Sequence, residues 1–117
     1  MKLLKITPKV LNYYQSRVND NKHVDQSLTM RKLTRNVKLA VKSPELFLGK
    51  FDLYSYGNLD IVVDSKKNRI VSIRNFKGAS VEWFVKDEEK YAELNKKYKI
   101  DELDAQLRQK FDESVGL

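Results

Sequence analysis

Between Phe51 and Phe76 the apolar residues of this chain recur at every second position, whereas on both sides they recur at three- and four-residue spacing. A chain whose period changes from 3.6 to 2 and back has to flank a sheet with helices. Three β-rich runs, Phe51 to Tyr56, Leu59 to Asp64 and Arg69 to Phe76, are separated by Gly57-Asn58 and by Ser65-Lys66-Lys67-Asn68, both of hairpin length. They predict an antiparallel meander with Leu59, Ile61, Val63, Val71 and Ile73 toward the helices. Asp60, Val62, Asp64, Ser72 and Arg74 then face away. A bulge at Gly57 inside one longer strand is the alternative. Ser80 to Val85, around Trp83, is a candidate fourth strand.

Thr7-Pro8 is an N-cap followed by a first-turn proline, and Val10, Leu11, Tyr14 and Val18 form the apolar stripe of a first helix. Asn19-Asp20-Asn21 should end it. A second helix, capped by Asp25 or Ser27, spans 27–43 and stops before Pro44, because the residue preceding proline avoids the α region. Pro44 to Gly49 is a loop or a single turn. From Asp87 the period is helical again, with seams of Tyr91, Leu94 and Tyr98, then Leu103, Leu107 and Phe111, and a break near Lys99-Ile100 with Asp101 as N-cap. Glu93 with Lys97 and Asp104 with Arg108 stand in the favourable acid-first order. The expected fold is a single α+β domain over 1–117: a basic helical part (1–44), a small antiparallel sheet of three or four strands (50–85) and C-terminal helices (87–115).

The chain has 117 residues, 41% of them hydrophobic, with no cysteine and a single histidine, so disulfides and thiolate metal sites are excluded and neither a metal nor a cofactor is expected. No apolar run approaches the roughly 20 residues that span a bilayer. The start, MKLLKITPKV, is too short an apolar run for a secretory signal, and Pro8 interrupts it. A cytoplasmic protein with no membrane contact fits these features. The net charge of +7 is uneven: residues 1–50 hold 11 Lys and Arg against 3 Asp and Glu, residues 51–117 hold 12 against 13. The cation excess is N-terminal, and a polyanion is the partner such an excess suits.

Within that half, Gln26 to Pro44 contains no acidic residue. Arg31, Arg35, Lys38 and Lys42 project within roughly 60° of one another on a helix, well away from Met30, Leu33, Val37, Ala40 and Val41. That stripe is a candidate phosphate-contacting surface for RNA. Tyr54 and Tyr56, two apart on a strand, share a face that in one register also carries Ser72 and Arg74, where they could stack on unpaired bases. In the other register they fill the core. Catalytic motifs are absent. His23 sits in a polar linker without a helical carboxylate partner and reads as an exposed bystander, so no catalytic residue is assigned.

The string from Tyr54 to Asp64, followed by a polar turn and Arg69-Ile70-Val71-Ser72-Ile73, is similar to the strand pair of small ribonuclease toxins of the RelE and barnase-EndoU-colicin type. That resemblance covers about 20 residues and implies Arg31, Arg35, Tyr54, Tyr56, Ser72 and Arg74 as site residues. The first helix lacks the histidine of some of those relatives, and two further helices follow the sheet. In size, basicity and Lys/Asn-rich composition the chain also resembles PrgU-like RNA-binding proteins of Gram-positive mobile elements. The function expected first is a small basic RNA-binding regulatory protein acting through the 27–43 helix. An RNA-cleaving toxin is second, and a protein-binding inhibitor or assembly factor, using the C-terminal helices, is third. The chain reads as a non-enzyme, and as a ribonuclease if it is an enzyme.

Overall fold

A computed structural model describes residues 3–18, 20–42, 51–75 and 87–114. The elements in chain order are β1 (Lys5–Ile6), α1 (Pro8–Arg17), α2 (Gln26–Leu39), β2 (Val41–Lys42), β3 (Asp52–Tyr56), β4 (Leu59–Asp64), β5 (Arg69–Asn75), α3 (Glu88–Lys97) and α4 (Ile100–Ser114). The fold is α+β. Thr7 caps α1, its hydroxyl accepting from the Val10 N–H at 3.2 Å, and Asp25 rather than Ser27 caps α2, accepting from the Leu28 N–H at 2.8 Å. The break between α3 and α4 falls at Tyr98 and Lys99, where Lys99 takes a left-handed φ of 55°. Helix α4 then starts at Ile100, so Asp101 lies in its first turn and does not cap it.

The sheet differs from the expected meander in three ways. Its order is β1-β5-β4-β3-β2: the antiparallel β3–β4–β5 core gains two short edge strands from the N-terminal part, and β1 pairs parallel to β5, making the sheet mixed. Helix α2 ends at Leu39 instead of running to 43, because Ala40 turns extended and Val41–Lys42 pair with Ser55 and Tyr54. Sheet pairing satisfies backbone groups that the helix would otherwise leave open. Third, Val62 pairs with Ser72 but Val63 pairs with Ile70, so Val71 is an extra, bulged residue. The bulge shifts the period of β5 by one. Ile70 and Ile73 both become buried and Val71 does not, a correction to the expected inward set. Gly57, with φ of 58°, opens a two-residue turn between the paired Tyr56 and Leu59, so it ends a hairpin and is no bulge. The expected loop at 44–49 and strand at 80–85 lie outside the described residues.

One apolar cluster draws on every layer: Val10 and Tyr14 from α1, Leu28 and Leu33 from α2, Ile61 and Ile70 from the sheet, and Leu94, Tyr98 and Ile100 from the C-terminal helices. Helices α1 and α2 pack on the sheet, and α3 and α4 pack on α2. The two residues entering β1 are tied down by side chains, since Thr34 Oγ1 accepts from the Leu4 N–H at 3.0 Å and Asn68 Nδ2 donates to the Leu3 carbonyl at 3.1 Å. Leu103 and Leu107 pack partly against the core, whereas Phe111 is exposed. Among the described residues no helix is long and apolar enough to cross a membrane.

Candidate functional site: a polar cavity walled by four helices and a hairpin

The acid-free helix α2 is the element on which α3 and α4 dock. Arg31 Nη1 donates to the Tyr98 carbonyl at 2.6 Å, capping the C-terminus of α3. Lys32 Nζ reaches Asp104 Oδ1 on α4 at 3.1 Å and Asn21 Oδ1 at 3.0 Å. Arg35 donates from Nε to Asn36 Oδ1 at 3.1 Å and from Nη1 to Asn95 Oδ1 at 2.8 Å, and its Cζ lies 4.5 Å from the centre of the Tyr91 ring. Arg35 is therefore buried, contrary to the expected exposed stripe, and Arg31 is half-buried. Lys38 remains exposed on α2, while Lys42 lies on β2, exposed, with its Nζ 3.7 Å from Asp52. The four cations expected on one helix face are thus distributed over an internal interface and an open surface.

Register also separates the tyrosines from the sheet cation. Tyr54 and Tyr56 pair with Ile61 and Leu59 and share their core-facing side, whereas Ser72 and Arg74 pair with Val62 and Asp60 on the other. Tyr56 is buried and Tyr54 packs against the core, so the expected stacking face with Ser72 and Arg74 does not form. His23 is a further correction. Its side chain is only 4% exposed and Nε2 donates to Asp104 Oδ1 at 2.6 Å, a carboxylate 81 residues away that no local spacing reveals.

Of these residues Lys32, Arg35, Asn36, Tyr56, Asn95 and Asp104 line a cavity of about 550 Å³ between α1, α2, the β3–β4 hairpin and the C-terminal helices. That volume is in the range of small-molecule clefts. One end is a charge cluster. Burial works to raise the Asp104 carboxyl, but hydrogen bonds from His23 and Lys32, with the charge of both, outweigh it and hold the group at about 2. Burial lowers the Lys32 ammonium against the opposing pull of Asp104. Arg108 completes the cluster with bonds of 2.9 and 3.1 Å to Asp20 and 3.3 Å to Asp104, and its hydrogen bond keeps the Asp20 carboxyl below its usual range. The acid-first Asp104–Arg108 spacing read from the sequence is one edge of this network.

The other end holds Tyr14, Tyr56, Tyr91, Arg35, Asn36 and Asn95. Burial pushes the Tyr56 phenol up to about 12, with Tyr91 adding and Arg35 opposing, and it pushes the Tyr14 phenol well above its usual range. Both stay neutral hydrogen-bonding groups at physiological pH. Sequence reasoning missed Tyr14, Lys32, Asn36, Tyr91, Asn95 and Asp104 as site residues. Tyr14, Tyr91 and Asp104 sat on predicted helix faces as ordinary core or surface positions, and two asparagines 59 residues apart carry no pattern. Among the described residues no group of three His, Asp or Glu side chains is placed to hold a metal ion.

The family model for YorE matches residues 4–97, which takes in the sheet, α1, α2 and α3. The chain belongs to the YorE family. It is similar to the SPbeta prophage-derived uncharacterized protein YorE of Bacillus subtilis (strain 168), with 41% identity over 73 residues, 57% of each chain. The chain thus spans little more than half the length of that curated relative. No solved structure matches it. The matched segment includes Tyr14, Arg35, Tyr56, Tyr91 and Asn95 and stops short of Asp104.

Proposed function

We propose that this protein is a small RNA-binding regulatory protein that contacts phosphates through its N-terminal third. The observation that carries the reading is the imbalance of exposed charge on that part of the surface. Among the described residues Lys5, Lys9, Arg17, Lys22 and Lys38 are exposed and form no ion pair, while the described acids of the same region are committed, Asp20 to Arg108 and Asp25 to the N-terminus of α2. Free cations facing a phosphate chain gain from counterion release, and committed carboxylates do not repel it. The surface is broader than a single helix stripe, with Lys38 and Lys42 as the members carried over from it. A prophage-derived relative fits a protein of mobile elements. The toxin alternative loses its geometric support, since Tyr54 and Tyr56 lie on the opposite side of the sheet from Arg74.

The test is retention of labelled single-stranded RNA across a salt series, with the same lanes read for fragments. Lys38→Ala with Lys42→Ala should flatten the log-affinity against log-salt slope by roughly 1.4, two contacts at about 0.7 each. Lys96→Ala with Lys110→Ala removes the same charge from the C-terminal helices and should leave the slope nearly unchanged. Equal loss in both pairs would mean that net charge alone attracts RNA; fragments from the purified protein would replace the regulator with a nuclease.

A further inference from the structure

Arg35 is 7% exposed, yet all of its protein partners are neutral: two amide oxygens and one aromatic ring. Among the described residues no carboxylate forms an ion pair with it. The other cations on the cavity wall are balanced, Lys32 by Asp104 and Arg108 by Asp20 and Asp104, and the two further carboxylates of the lining, Glu88 and Asp101, are exposed to solvent and form no ion pair with Arg35. The nearby phenols Tyr14 and Tyr56 do not supply the missing anion, since both stay protonated at neutral pH. A buried guanidinium without a counter-charge is unfavourable, and its contact with the Tyr91 ring offsets only part of that cost. A guanidinium has five N–H donors, of which two are used here, so a forked set remains for an oxyanion. Beside it stand flat phenol walls and two amides whose oxygens are already occupied by Arg35, so that the amides offer N–H donors to acceptors on a ring.

We propose that this cavity binds a nucleoside monophosphate, with the phosphate on the free N–H groups of Arg35 and the base between the tyrosines, close to Asn36 and Asn95. The same chemistry is carried by a free nucleotide and by the 5′-phosphorylated end of an RNA. The site is distinct from the exposed lysines and does not require them.

The experiment is thermal unfolding and calorimetry of the full chain with AMP, with adenosine and inorganic phosphate as half-ligands. AMP should raise Tm saturably and each half-ligand should do so far less. Arg35→Met should weaken AMP at least about tenfold, roughly 1.4 kcal/mol. Asn95→Asp is the second variant: it supplies Arg35 with an internal carboxylate, so it should fold at least as well as the native protein and lose AMP affinity comparably. Two short RNAs, one with a 5′-phosphate and one with a 5′-hydroxyl, separate the sources. Tighter binding of the phosphorylated end that both variants abolish supports the terminal-nucleotide source; AMP binding without that preference supports the free nucleotide. Absence of response to AMP and to the phosphorylated end, or responses unchanged in both variants, overturns the proposal. RNA binding through the lysines would survive that failure, because it is read with 5′-hydroxyl RNA and the Lys38/Lys42 variants.

Discussion

Lys32 and Arg35 stand one turn apart on α2, and both are removed from solvent at the same cavity, but their surroundings differ in kind. Lys32 meets the carboxylate of Asp104, which His23 and Arg108 also grip. Arg35 meets two asparagines and a tyrosine ring. The first region is an electrostatic clamp that fastens α4 to the body. The second is an arrangement that leaves charge unbalanced, which a purely structural interface has no reason to retain. Neighbouring cations of one helix thus point to different roles, and the difference lies in what the other helices bring to them.

Breaking the clamp should have the largest effect. Asp104→Ala leaves His23 buried without its acceptor and Lys32 with Asn21 but no counter-charge, and the expected loss is about 3 kcal/mol in urea unfolding, at the low end for buried pairs because Asp104 keeps 23% side-chain exposure. A loss below about 1 kcal/mol would show that water replaces the carboxylate and that the clamp is not what holds α4. The pH dependence follows from the same group. Asp104 titrates at about 2 when folded against an ordinary 3.8, so its contribution is present above about pH 4 and is lost as pH falls through about 2. Roughly 2 kcal/mol should disappear over that window. Acid titration of the Asp104→Asn variant should lack that part of the decline, and an identical decline in the two proteins would assign it to other carboxylates.

Leu107→Ala sharpens the comparison from the apolar side of α4. The side chain packs only partly on the core, so the cost should be roughly 1–2 kcal/mol, less than for a fully buried leucine. A larger loss than that of Asp104→Ala would make the seam, and not the ion cluster, the principal fastening. The smallest effect is expected at Arg35. Arg35→Met removes an unbalanced buried charge and keeps apolar volume against Tyr91, so stability should stay within about 1 kcal/mol of the native protein, in either direction. Severe destabilisation, measured by the same urea series, would place Arg35 with Lys32 as a structural cation.

Much of the fold was legible because its determinants are local. The change of period marked the helices and the β3–β4–β5 meander, Thr7 and Asp25 marked helix starts, and the Gly57-Asn58 turn joined β3 to β4. The edge strands β1 and β2 were not legible, since two residues form no period and their pairing is set by strands far along the chain. The acid-free run on α2 reads from sequence as an exposed phosphate surface, whereas the structure buries Arg35 and half-buries Arg31. Arg35 stands in an acid-free run, and in the fold Asp104 of α4 supplies the acid for Lys32, while no described carboxylate pairs with Arg35.

By itself the sequence determined the order and type of the main elements and the N-terminal excess of cations, because caps, turns and periodicity act over a few residues. Only the tertiary structure decided which cations face inward and which tyrosines leave the surface. Lys32 and Asp104 are 72 residues apart, and the Val71 bulge exchanges the faces of a strand by one residue. Both depend on how elements pack, and packing is a property of the whole chain that no window of ten or fifteen residues contains.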